Sequence, residues 1–190
     1  MLKAFARFIL KLWGWDCSRA ALGDVKKCVI IGAPHTSNFD FILGRLTYWA
    51  LGIKIHFLIK KEWFKFPFGI LARRMGGIPV DRSKPSHLTE QVVRMFEANE
   101  NFYVIITPEG TRSLRKQWKK GFYYIALKAG VPIALGYADY GRKKGGIGPL
   151  IYPTGNLEED MKIIEEFYSD ITARHPEKFN LSYMYQRKTA

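Results

Sequence analysis

Cys28-Val29-Ile30-Ile31-Gly32-Ala33-Pro34-His35-Thr36-Ser37-Asn38-Phe39-Asp40 carries a strand-like apolar run, a Gly/Pro turn and the start of a helix within one short stretch. Val and Ile favour extended backbone, and Gly32 and Pro34 break it. Asn38 is a good N-cap, and the periodicity that follows predicts a helix to Leu51. A strand that feeds straight into a helix is half of a parallel βαβ unit.

The same alternation recurs to either side. Ile55–Ile59 reads as a strand and Glu62–Met75 as a helix, followed by a short extended piece, Ile78-Pro79-Val80. Ser86–Asn99 has helical periodicity, Phe102–Thr107 is a strand of the buried type, and Lys116–Lys128 reads as a helix. Val131–Ala138 is a further strand, and Leu157–Arg174 an acidic, amphipathic final helix. Strands alternating with helices predict a single α/β domain, a central, mostly parallel sheet flanked by helices. Upstream, residues 2–13 predict an amphipathic helix. Leu2, Phe5, Ile9, Leu12 and Trp13 share one face, and Lys3, Arg7 and Lys11 recur every four residues on another. The domain is expected to span 1–190, with 1–27 as an amphipathic N-terminal segment and 28–136 as the core.

Composition narrows the function classes. The chain has 190 residues, is 47% hydrophobic and 15% aromatic, and carries a formal charge of +13. That excess is uneven: residues 1–128 hold 22 basic and 9 acidic groups, whereas 129–190 hold 8 of each. An anionic partner of the first two-thirds is expected. The charge-free runs 28–39 and 145–157 are well short of the ~18–20 residues a membrane-spanning helix needs. The start of the chain lacks a secretory pattern, so Cys17 and Cys28 are expected as free thiols in a cytoplasmic protein. Their spacing includes no histidine, and neither a zinc site nor a cofactor is expected. The aromatic residues follow core periodicity and no nucleic-acid-binding signature appears, so nucleic acid is not the expected partner.

Sites in parallel sheets form where the carboxyl ends of strands lead into the next loop. His35 and Asp40 fall at such a point, with Asp40 in the first helical turn, where its carboxylate can reach back to the imidazole. One ring nitrogen is then held and the other is free to act as a base. The plain alternative is an exposed histidine beside a helix-capping charge. A second loop, Thr107-Pro108-Glu109-Gly110-Thr111-Arg112-Ser113, places a carboxylate, a glycine and a guanidinium after another strand. Arg112 offers a planar fork suited to an oxyanion. A third piece, Gly76-Gly77-Ile78-Pro79-Val80-Asp81-Arg82, ends in a further cation. Alone it would be a strand edge with a surface ion pair at Asp81.

In this order the pieces resemble the glycerolipid (lysophosphatidic acid) acyltransferase family. His35 to Asp40 matches its His-x4-Asp motif, Gly76 to Arg82 its Gly-to-Arg stretch, Pro108 to Arg112 its Pro-Glu-Gly-Thr-Arg motif, and Val131-Pro132-Ile133 its Val-Pro-Ile run. Lys60-Lys61-Glu62 ahead of Phe66-Pro67-Phe68-Gly69, and Lys119-Lys120-Gly121 before Ala129-Gly130, are similar as well. The chain departs from the pattern at Thr107, where the family usually has an aromatic residue, and in Ala134-Leu135-Gly136, which lacks the later proline. Residues 139–190 carry no further piece of it.

The resemblance implies an O-acyltransferase that moves a fatty acyl group from an acyl-CoA or acyl carrier protein thioester to the hydroxyl of a lysolipid. The acceptor that fits best is 1-acyl-sn-glycerol-3-phosphate. His35 would be the base and Asp40 its partner. Lys60, Arg82 and Arg112 would bind the acceptor's anionic head. Glu109 and Gly110, with Thr111 in the same loop, would position the acceptor, and Ile133 would line an apolar part of the site. The implied protein works peripherally at an anionic membrane surface, on the inner face of the cell membrane. Alternatives are a lysolipid with a carboxylate head, such as a lyso-amino-acid lipid, a thioester hydrolase in which water replaces the acceptor, and a lipid binder without catalysis.

Overall fold

The computed structural model describes residues 1–64, 68–81 and 85–181. At its centre is β2 (Lys27–Gly32), whose four middle residues are fully buried on both faces. β2 pairs in parallel with β5 (Phe102–Ile106) on one side and with β6 (Ile133–Asp139) on the other. Beyond β5 lie β3 (Ile55–Lys60) and β4 (Gly77–Val80), again parallel. β7 (Lys144–Ile151) runs antiparallel to β6, and β1 (Asp16–Ala20) is parallel to β7 at the far edge. The order is β1-β7-β6-β2-β5-β3-β4, a mostly parallel sheet as the strand–helix alternation predicts.

Helices cover both faces. On one, α1 (Leu2–Leu12) and α2 (Asn38–Leu51) pack through Ala6, Leu10, Leu43, Leu46 and Ala50. On the other, α4 (Pro85–Ala98), α5 (Gly121–Ala129) and α6 (Leu157–Ser169) pack with Phe96, Phe122, Ile125, Ile164 and Tyr168 against Val29, Ile31, Val104 and Leu135. Alternate residues of β2 thus serve two separate cores, Val29 and Ile31 on one side and Cys28 and Ile30 on the other. A short α3 (Phe68–Arg74) precedes β4. Among the described residues no helix is long and apolar enough to cross a membrane.

Several boundaries differ from those read off the sequence, most by a residue or two; four of them have a clear physical reason or bear on the site. The helix expected over 62–75 has its described parts as a 3-10 turn, Lys61–Phe64, and α3; residues 65–67 lie outside the described set. α5 begins at Gly121 rather than at Lys116, because the Lys119 backbone N–H is taken by the carbonyl of Pro108 and the preceding segment is tied to the loop after β5. α6 ends at Ser169 rather than at Arg174, because Tyr140 N–H bonds the carbonyl of Thr172 and draws the chain away from the helical path. The cap of α2 is Ser37, one residue before Asn38.

β1 and β7 were not expected at all. β7, Lys-Gly-Gly-Ile-Gly-Pro-Leu-Ile, has poor strand propensity. Its glycine at 148 is required by packing, since a Cβ there would lie 2.6 Å from the ring of Phe167 on α6. Pro149 falls where the ladder to β6 shifts register, the position at which a strand loses least by lacking an N–H donor.

A candidate active site at the carboxyl ends of β2 and β5

The loop after β2 and the loop after β5 meet at the carboxyl edge of the sheet, because the two strands are direct neighbours in register. His35 lies between β2 and α2, and Glu109 between β5 and α5. The backbone N–H of His35 donates to both oxygens of the Glu109 carboxylate, at 3.0 and 3.1 Å. Burial pushes the Glu109 carboxyl up to about 8; the His35 N–H pulls the other way and the Asp40 charge adds to the rise. Glu109 therefore fixes the histidine's backbone from below, and its side chain does not line the cavity described next. Resemblance assigned it to positioning the acceptor; its direct contact is with the histidine loop.

Asp40 holds several groups at once. It occupies the third position of α2 in a capping box with Ser37. Its Oδ2 accepts the N–H groups of Thr36 and Ser37, each at 2.7 Å, and its Oδ1 accepts Ser37 Oγ at 2.9 Å and Tyr140 Oη at 2.6 Å. The imidazole Nδ1 of His35 lies 3.7 Å from Oδ2, within charge contact but longer than a hydrogen bond. The carboxylate that caps α2 thus also faces the imidazole.

The imidazole itself is mostly enclosed, with 19% of its side-chain surface open. Burial draws its pKa below the usual histidine value, Asp40 opposes this, and the Arg112 charge lowers it further. A neutral ring with Nδ1 turned to a carboxylate is the form a general base requires.

His35 and Asp40 open onto a cavity of about 1180 Å³. That exceeds the ~300–1,000 Å³ typical of drug-sized ligand sites, so there is room for an extended molecule. On the α2 side it is walled by Phe41, Gly44, Tyr48, Ile55, Phe57 and Ile105, and on the α4–α5 side by Leu88, Phe122, Tyr124, Ile125 and Leu127. Around its mouth stand Gly110, Thr111, Arg112, Lys119 and Lys120. Gly110 is needed as glycine: its φ is +66°, and a Cβ would press on the Lys119 side chain at 3.0 Å.

The remaining candidates separate. Thr111, Gly110 and Arg112 join His35 and Asp40 around the cavity. Lys60 is exposed at the end of β3 and does not line it. Arg82 lies outside the described residues. Asp81, next to it, forms an exposed ion pair with Lys61, as the plain alternative for that stretch holds. Ile133 is a correction. It is fully buried at the start of β6, opposite Val29 and far from the carboxyl edge, and β6 contributes Gly136, Tyr137 and Ala138 to the cavity instead. Neither cysteine lines the cavity; both thiols are free and buried, and burial pushes Cys28 up to about 12, which leaves it unreactive.

Sequence reasoning missed three groups of residues. Lys119 and Lys120 were noticed only as linking pieces, and the lysine pair itself was the available signal. Tyr140 had no local signal. Nor did the C-terminal segment, which braces the site: His175 N–H bonds Thr36 Oγ1 at 3.2 Å, and the Arg174 guanidinium lies 4.4 Å from the ring centre of Phe39.

Residues 19–134 match the model of the acyltransferase family. No curated protein matches the chain. Among solved structures, the crystal structure of the 1-acyl-sn-glycerophosphate (LPA) acyltransferase PlsC from Thermotoga maritima shares the fold, with a TM-score of 0.58. The two are 22% identical over 87% of this chain and 74% of that one.

Proposed function

Because the chain belongs to the acyltransferase family, we propose that it transfers a fatty acyl group from a thioester of coenzyme A or acyl carrier protein to the hydroxyl of a lysolipid, with 1-acyl-sn-glycerol-3-phosphate as the acceptor. The observation that carries this reading is a neutral, mostly enclosed imidazole at the mouth of a large apolar-walled cavity, with Arg112 beside it. An acyl chain suits the apolar walls. A phosphate suits the guanidinium and the two lysines at the mouth. The Thermotoga maritima protein takes lysophosphatidic acid, and the same acceptor would meet complementary charge here.

In the proposed reaction His35 Nε2 removes the proton from the acceptor hydroxyl as its oxygen attacks the thioester carbonyl carbon. The imidazolium formed is stabilised by the Asp40 charge at 3.7 Å. The tetrahedral intermediate collapses with cleavage of the C–S bond, and the imidazolium returns its proton to the departing thiolate. The new ester and the free thiol are the products. No residue of the chain is acylated on the way, in keeping with the burial of both cysteines.

α1 supplies a way to reach a substrate held in a bilayer. It turns Ala6 and Leu10 to the core, while Phe5 (56% exposed), Phe8 (64%), Leu2 and Leu12 face outward. Such an apolar strip beside basic residues is the pattern of a helix lying in a membrane interface. Of the cations, Arg7 is engaged in the fold, its Nε donating to the carbonyl of Ala50 at the end of α2. The proposed location is the inner face of the cell membrane, bound peripherally.

Thioester turnover against lysolipids with phosphate, zwitterionic and carboxylate heads tests the reading. Thiol release should depend on the phosphate-headed acceptor. His35→Ala should lower kcat by roughly 10²–10⁴. Equal release with no acceptor would make the protein a hydrolase, and preference for the carboxylate head would point to a lyso-amino-acid lipid. An undiminished His35→Ala rate would remove the mechanism.

A further inference from the structure

A second cavity of about 350 Å³ forms where the start of α1, the last turn of α2, the start of β3 and the end of α3 meet. Four of its lining residues are cations, Lys3, Arg45, Lys54 and Arg74, and among the described residues no carboxylate lines it. Arg45 is the unusual member. It is only 9% exposed, yet its Nε is buried with no hydrogen-bond partner among the described residues. The guanidinium lies 4.9 Å from the ring centre of Trp49 and 5.7 Å from that of Phe57. Burial draws its pKa below the usual arginine value, and among the described residues no carboxylate offsets the effect.

Desolvating an ion without a counter-charge is strongly unfavourable. Two aromatic faces recover only part of that. A buried arginine that keeps an idle donor and is joined by three further cations is a site short of its anion. We propose that this cavity binds a phosphate-group anion, with Arg45 as the inner ligand and Lys3, Lys54 and Arg74 at the rim. The two cavities adjoin, since Arg45 and Ile55 line both, but Arg112 and the mouth lysines line only the large one, so the proposed anion would sit on the far side of Arg45 from the acceptor's phosphate. A planar fork against phosphate oxygens is the pairing for which a guanidinium is best shaped. Leu2 shares the lining and is half-exposed, and the outward apolar strip of α1 continues from it through Phe5. The surroundings therefore suit the head of a membrane phospholipid; a free phosphate ion is the other source of the same chemistry.

Titration calorimetry on the full chain separates the possibilities, with monomeric dihexanoyl-phosphatidylglycerol and inorganic phosphate as probes. The parent should bind the short-chain lipid. Lys54→Glu/Arg74→Glu, at exposed positions, should weaken binding by at least about tenfold, and Arg112→Ala should leave it intact. Arg45→Met should abolish it, and the rim variant decides the matter if that protein fails to fold. Tight binding of inorganic phosphate with the same sensitivity to the rim variant would keep the site and assign it to the free ion. Binding of neither probe would overturn the proposal, as would binding that Arg112→Ala removes or the rim variant leaves unchanged.

Discussion

Tyr140, in the turn after β6, donates its hydroxyl to Asp40 Oδ1 at 2.6 Å across a hundred positions of sequence. The same tyrosine ring packs edge-on against Trp15, 5.0 Å between centres, and its backbone N–H is tied to Thr172. The carboxylate beside the histidine is thus held from the first helical turn of α2 and also from the far end of the chain.

Tyr140→Phe removes a hydrogen bond to an ionised group without opening space. Stability should fall by about 1.5–3 kcal/mol, the range for hydrogen bonds to charged groups, and kcat should fall several-fold while acceptor KM holds. Asp40→Asn should cost more on both counts, because an amide that keeps its oxygen toward the N–H groups of Thr36 and Ser37 would turn its NH2 to the hydroxyls of Ser37 and Tyr140, which now donate to Oδ1. Urea unfolding and steady-state rates check this. A Tyr140→Phe protein equal to the parent in both would mean that the contact is incidental.

The acid limb of the kcat/KM profile reports the imidazole of the free enzyme. With burial and Arg112 both lowering the His35 pKa against the pull of Asp40, the limb should lie below the ordinary histidine value of 6.5. Arg112→Ala should move it upward, whatever it does to the maximum rate. A limb at or above 6.5 in the parent, unmoved in the variant, would exclude His35 as the titrating base.

Glu109 should make stability depend on pH. Its carboxyl is raised from 4.5 to about 8 in the folded chain, so the folded state holds a proton that the unfolded state has released. Its contribution is full below about 4.5 and is lost as pH rises through about 8. Glu109→Gln should flatten that decline, a difference on the order of a few kcal/mol between the two ends. Denaturant midpoints measured from pH 4.5 to 9 would show it. Parallel curves for parent and variant would mean that Glu109 is ionised throughout.

The outward strip of α1 should govern vesicle binding. Phe5→Glu/Phe8→Glu should reduce sedimentation with vesicles containing anionic lipid, and added salt should weaken binding by the parent. Both positions are more than half exposed, so the thermal midpoint should barely move. Charge reversal at Arg7 is a poor probe, because it would also break the bond to Ala50. Undiminished binding by the double variant would leave α1 as a purely structural helix.

Local pattern carried the central part of the fold. β2, α2, β3, β4, α4, β5 and β6 have residue preferences that agree with their final states, and so they, with the two turns that bear His35 and Glu109, were legible along the chain. The family resemblance implied that His35, Asp40 and Arg112 share one site; the structure has all three lining one cavity, and neighbouring parallel strands are what bring them together.

Pairing decided the rest, because a hydrogen bond between distant residues depends on which strands become neighbours and in what register. Glu109 reaches His35 across 74 positions only because β5 lies beside β2. β7 is a strand despite its glycines because β6 offers an unpaired edge and Phe167 needs the space above Gly148. Ile133 belongs to the core because register sets it opposite Val29, three residues before the part of β6 that faces the cavity. Composition and spacing determined which chemistry the chain could carry; the sheet order determined which side chains stand close enough to take part in it.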